Sequence, residues 1–239
     1  MKRAQPAKSA NKTPRRLPGK LNRELARTWV ITVINPVVES LRREKVWLGP
    51  KNWSWRYSTG GFEHLWPVAS YVDPAYSDNL AEFRGWYPEV AQAIDRHDAL
   101  LMQLATACRK TLEHLLDSED FRRVLEDADA AARNRGINIE EARGAVPADD
   151  WPRLMAQYLI NNIGLLPEYY TTAGYWKVAG STVLGIKNDE AWREEFTPLE
   201  RIGGRLLRAT EQAEVTIVSI RQRYTRQFGL PPVPLPVQT

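Results

Sequence analysis

Along residues 88–117, "PEVAQAIDRHDALLMQLATACRKTLEHLLD", Val90, Ile94, His97, Leu101, Leu104, Cys108, Leu112 and Leu115 recur every three or four positions. That spacing follows the 3.6-residue turn and predicts a helix with one buried stripe. The next segment, "DSEDFRRVLEDADAAARNRG", carries acids in its first turn and Arg133, Arg135 and Gly136 at its end, the charge order and stop signal of a second helix. "DDWPRLMAQYLINNIG" predicts a third, with Pro152 near its start and Gly164 after it. From Thr197, an expected N-cap before Pro198, a stripe runs through Leu199, Ile202, Leu206, Ala209, Ala213, Ile217, Ile220, Tyr224 and Phe228, ended by Gly229 and Pro231. Within that helix the paired Gly203 and Gly204 are expected to permit close helix packing.

Upstream, "LNRELARTWVITVINPVVESLRREKVWL" reads as one helix kinked at Pro36, or as two pieces with Asn35 as N-cap and Pro36 in the first turn. The β-branched run Val30–Ile34 leaves a strand open there. Leu165–Gly185 has no helical period and predicts a small hairpin or an ordered loop. Residues 1–20 hold Pro6, Pro14, Pro18 and Gly19 with almost nothing apolar, and residues 230–239 are proline-rich; both are expected to be disordered tails. The expected architecture is mainly α: a single helical-bundle domain over 21–229 with an aromatic-rich loop or ribbon at 48–75.

Composition narrows the class of protein. The longest strongly apolar stretch, Trp29–Val38, is half of the roughly 20 residues a membrane span needs, so no membrane partner is expected. The basic start lacks the apolar run of a secretory signal. The one cysteine, Cys108, allows no internal disulfide, and with three histidines it makes a Cys/His zinc site unlooked-for; no metal or cofactor is expected. A cytoplasmic location follows as the expectation. Charge is unevenly placed. Lys2, Arg3, Lys8, Lys12, Arg15, Arg16 and Lys20 lie in the first 20 residues with no acid, so the chain's net +4 leaves −3 for residues 21–239.

Four groups are candidates for chemistry or binding. In "GPKNWSWRYSTGG" an extended backbone points Trp53, Trp55 and Tyr57 to one side. They form either a plug over the helices, with a protein partner as their other use, or a platform for stacked bases beside Lys51 and Arg56. The final helix carries Arg201, Arg205, Arg208, Arg223 and Arg226 on one stripe with Gln212, Thr216 and Ser219, a pattern suited to phosphate contact or to plain solvation. His97, between Asp95, Arg96 and Asp98, reads as a core histidine with one nitrogen satisfied, its alternative being a general base.

"RKTLEH" places Arg109 five residues before His114. The spacing resembles the R-x4-6-H motif of the HEPN ribonucleases, over six residues only. The resemblance implies a helical, dimeric ribonuclease of a toxin or defence system, with Arg109 and His114 as its catalytic pair. On a regular helix five residues turn through about 500°, which leaves the two side chains about 140° apart. The sequence contains no Walker A loop, G-x-G-x-x-G, G-x-S-x-G or H-E-x-x-H motif. The leading expectation is therefore a non-enzymatic, bacterial, helical interaction protein. It would be an accessory subunit of a nucleic-acid-associated assembly, with a protein partner and with DNA or RNA reached through the basic tail and the arginine stripe. The rivals are the HEPN-like ribonuclease and a structural protein that self-associates through the Trp-rich segment.

Overall fold

The computed structural model describes residues 20–48, 65–140, 148–161 and 190–231. Among these residues every regular element is a helix, in agreement with the mainly α expectation. The first helix, α1 (Arg23–Trp29), is capped by Asn22, whose Oδ1 accepts from the Leu25 N–H at 2.8 Å. It runs through a π-helical turn, Val30–Ile34, into α2 (Asn35–Leu48). The strand alternative is thereby removed, and the helix is continuous. Pro36 has no N–H, and its ring crowds the carbonyl four residues back. One widened turn relieves that crowding: the Asn35 N–H donates to the Val30 carbonyl, five residues back.

After the Trp-rich stretch the described chain resumes through two 3₁₀ turns, Val68–Tyr71 and Pro74–Tyr76. Helices α3 (Ser77–Trp86), α4 (Pro88–Asp117) and α5 (Glu119–Arg133) follow. Ser118 caps α5, its Oγ accepting from the Phe121 N–H, and Gly136 at φ 76° closes it with the Ile137 N–H on the Ala132 carbonyl. Helix α6 (Trp151–Asn161) and the long α7 (Glu190–Phe228) complete the described chain.

Helix α7 packs along both α4 and α2. It runs antiparallel to α4: Trp192 meets His114 at one end, and the Tyr224 hydroxyl donates to that of Tyr87 at the other. Two apolar cores result. One gathers α1, α2, α3, the start of α4 and the end of α7, with Trp29 edge-on to Phe83, Trp86 and Tyr87. The other gathers the rest of α4 with α5, α6 and the first half of α7.

Three expectations need correction. Helix α7 begins at Glu190, so Pro198 lies inside it rather than in its first turn. Trp192 and Phe196 extend the Leu199 stripe backwards, and their burial in the second core outweighs the missing hydrogen bond. Leu230 is buried in the first core and so belongs to the globule, not to a tail. Against the described residues, the Gly203–Gly204 pair serves no close packing. A Cβ on Gly203 would meet nothing within 4 Å, and one on Gly204 only the Arg208 Nη1 at 3.9 Å. Residues 1–19, the stretch holding Trp53, Trp55 and Tyr57, residues 165–185 and the last eight residues lie outside the described chain.

Because both glycines are helical with space around them, alanine at either removes backbone entropy from the unfolded chain without strain. Gly203→Ala and Gly204→Ala should each raise unfolding stability by about 0.5–1 kcal/mol, read by urea denaturation.

Candidate nucleic-acid interface

The apolar stripe of α7 turns one side of the helix into the two cores, which fixes what the opposite side shows to solvent. Arg201, Arg205, Arg208, Arg223 and Arg226 are all exposed there. Arg201, Arg205, Arg208 and Arg226 make no ion pair with the described residues. Arg223 meets Glu89 at 3.1 Å and lies over the Tyr87 ring at 5.7 Å. Between the two arginine groups sit Gln212, Thr216 and Ser219, bonded within the helix: Gln212 Nε2 donates to Thr216 Oγ1, Thr216 to the Gln212 carbonyl, and Ser219 to the Thr216 carbonyl. Three acids of this part of the helix, Glu200, Glu211 and Glu214, lie off the stripe. Glu200 and Glu211 project about 80–100° to one side. Glu214 is buried, held by Arg42 at 2.7 Å and by Lys45. Burial alone would raise the Glu214 pKa, but the two cations more than offset it and hold the carboxyl below its usual range. The stripe from Arg201 to Arg226 is thus a face of five exposed guanidinium groups, four of them without an ion pair to the described residues.

Of the basic tail, only Lys20 is described, and it is exposed; Lys2, Arg3, Lys8, Lys12, Arg15 and Arg16 fall outside the described residues, as do the ring side chains of the Trp-rich segment. Elsewhere Trp29, Trp151 and Trp192 are buried, whereas Trp66 is 53% exposed. Arg109 and His114 are both exposed on α4, which is continuous from Pro88 to Asp117. The helix neither starts nor breaks between them, so they leave it about 140° apart. His114 faces the Trp192 ring.

His97 departs from the expected single partner. Both of its nitrogens are satisfied, each by a carboxylate: Nε2 lies 2.8 Å from Glu44 Oε2 and Nδ1 2.8 Å from Asp98 Oδ1. The Tyr71 hydroxyl donates to Glu44 Oε1, the Trp66 N–H donates to that hydroxyl at 3.1 Å, and the Val68 N–H donates to Asp98 at 3.0 Å. His97 and Glu44 are both buried. Burial by itself would lower the imidazole pKa. The hydrogen bonds and charges of Asp98 and Glu44 win, and raise it to about 9. The Tyr71 hydroxyl is pushed up by its burial and by Glu44. His97 is therefore an imidazolium holding two helices and a strap together, not a poised base. Sequence reasoning missed Glu44 and Tyr71. Glu44 was findable: it interrupts the apolar run Val37, Val38, Leu41, Leu48 on the buried side of α2. A third missed position, Arg221, is buried near the end of α7 and donates to the Pro231 carbonyl.

Among the described residues no helix is long and apolar enough to cross a membrane, and no three side chains are arranged to hold a metal ion. The chain matches no protein-family model, no curated protein and no solved structure.

The raised His97 pKa carries a sign for pH dependence. A group whose pKa rises from 6.5 to about 9 on folding contributes stability that is complete below pH 6.5 and is lost as pH climbs through 9. In a Cys108→Ser background, which removes the overlapping thiol, stability should fall by about 2–3 kcal/mol between pH 6 and 9.5. The same series with Glu44→Gln and His97→Gln together, which leaves no buried carboxylate without its cation, should be nearly flat, as followed by urea melts.

Proposed function

We propose that this chain is a non-enzymatic helical interaction protein that contacts the phosphate backbone of nucleic acid as an accessory subunit of a larger assembly. The observation that carries the reading is the solvent face of α7. It shows five exposed arginines, four of them without an ion pair to the described residues, on a helix whose other side is locked into both cores. Guanidinium groups bind phosphate oxygens in forked geometry, and a rigid helix presents them without further ordering cost. The basic segment 1–20 adds charge of the same sign, so it increases affinity for the same polyanion. Two further features favour a binding role over catalysis. Arg109 and His114 diverge on a regular helix, and His97 is enclosed with both nitrogens engaged.

The reading is tested by binding of the full chain to mixed DNA and RNA at 50 and 200 mM salt. Deleting residues 1–20, or replacing Arg201, Arg205 and Arg208 together with glutamine, should each weaken binding at least tenfold at the lower salt. Both should also flatten its salt dependence. Equal binding by all three proteins, or none by the full chain, contradicts the reading.

A further inference from the structure

The arrangement of charge along α7 distinguishes between kinds of polyanion. At 1.5 Å per residue, Arg201, Arg205 and Arg208 fall within about 10 Å of helix, and Arg223 and Arg226 within about 5 Å. About 22 Å separates Arg208 from Arg223, and no cation of the stripe lies between them. That gap is the scale of a major groove, about 12 Å wide, together with the two backbones that border it. A single strand laid along the helix would instead bring a continuous line of phosphates past a neutral stretch.

The side chains in the gap point the same way. Single-strand binders combine positive charge with rings on which bases stack. Here the stretch holds Gln212, Val215, Thr216 and Ser219, with no aromatic residue. The Thr216 and Ser219 hydroxyls already donate to carbonyls of their own helix, which leaves little there to read a base edge. A membrane surface is also disfavoured. An interfacial helix buries its apolar side in lipid, whereas the apolar side of α7 is consumed by the two cores, leaving Val215 as the large exposed apolar residue of this helix. The Arg223–Glu89 pair is no obstacle: both side chains are about half exposed, and such pairs hold weakly.

We infer that the arginine row of α7 seats a nucleic-acid duplex across the helix, one arginine cluster on each of the two backbones flanking a groove, without reading sequence. The inference rests on the phosphate-contact reading above and narrows it to double-stranded partners.

Fluorescence anisotropy of the full chain tests it with a 24-base-pair duplex, its single strand, a second duplex of unrelated sequence, and anionic phosphatidylserine vesicles. The duplexes should bind alike and at least tenfold tighter than the single strand or the vesicles. Replacing Arg201, Arg205 and Arg208 with glutamine should lower the salt slope for duplex by about 3, and replacing Arg223 and Arg226 by about 2. These side chains are exposed, so circular dichroism should show both variants folded. Equal or tighter binding of the single strand, still dependent on both clusters, overturns the duplex inference and leaves the broader function standing. Loss on removal of one cluster only also overturns the two-backbone arrangement. Binding of vesicles as tightly as duplex, or no dependence of duplex binding on either cluster, overturns both.

Discussion

The contact between Glu44 and His97 is the constraint on which the helix packing turns. Each residue occupies a buried position on its helix, and each sits between the two apolar cores: Leu41 and Leu48 flank Glu44, as Ile94 and Leu101 flank His97. Thr210 and Glu214 occupy the same level on α7. A buried ion pair adds little net stability, because the desolvation of both charges is large. Its effect is on register. If α4 slid one turn along α2, an apolar residue would face each charge, leaving the Glu44 carboxylate buried without its cation and His97 with Asp98 alone. Apolar side chains alone would tolerate such a slide far better. The level therefore fixes how α2 and α4 align. Through Tyr71 and Asp98, it also fixes where residues 65–72 cross them.

That alignment reaches the solvent face of α7. Glu214 points inward to Arg42 and Lys45, which ties the inner side of α7 to α2. With the apolar stripe and Glu214 both engaged by neighbours, rotation of α7 about its axis is settled, and the arginine row must face outward. Gly229, at φ 63°, ends the helix just past Arg226. The exposed arginine row is in this sense a by-product of core packing. It faces solvent because the residues opposite it are spent.

Much of the helical content is readable from the sequence where period and caps agree. Helix α4 spans its predicted stripe from Val90 to Leu115, α5 ends close to where Arg133 and Gly136 place it, and α6 begins beside Pro152. Reading fails where tertiary burial overrides a local signal. Pro198 looks like a helix start, yet Trp192 and Phe196 carry α7 two turns further back. Pro36 looks like a break, yet a π turn absorbs it. The arginine row is legible because exposed charge at helical spacing needs no partner to be seen. The buried level is only half legible: His97 stands out on an apolar stripe, but its partners Glu44 and Tyr71 lie 53 and 26 residues away in sequence, and no local pattern joins them.

A double-mutant cycle on Glu44→Gln and His97→Gln, with unfolding free energies from urea melts at pH 6, tests the register claim most directly. The account predicts that each single variant is destabilised by about 3 kcal/mol, because Glu44→Gln leaves the buried His97 with Asp98 alone and His97→Gln leaves the buried Glu44 carboxylate with the Tyr71 hydroxyl but no cation. The double variant should recover much of that loss, with a coupling energy of at least about 2 kcal/mol. Additive losses, with a coupling energy near zero, would contradict it and show the two residues to be independent occupants of the core.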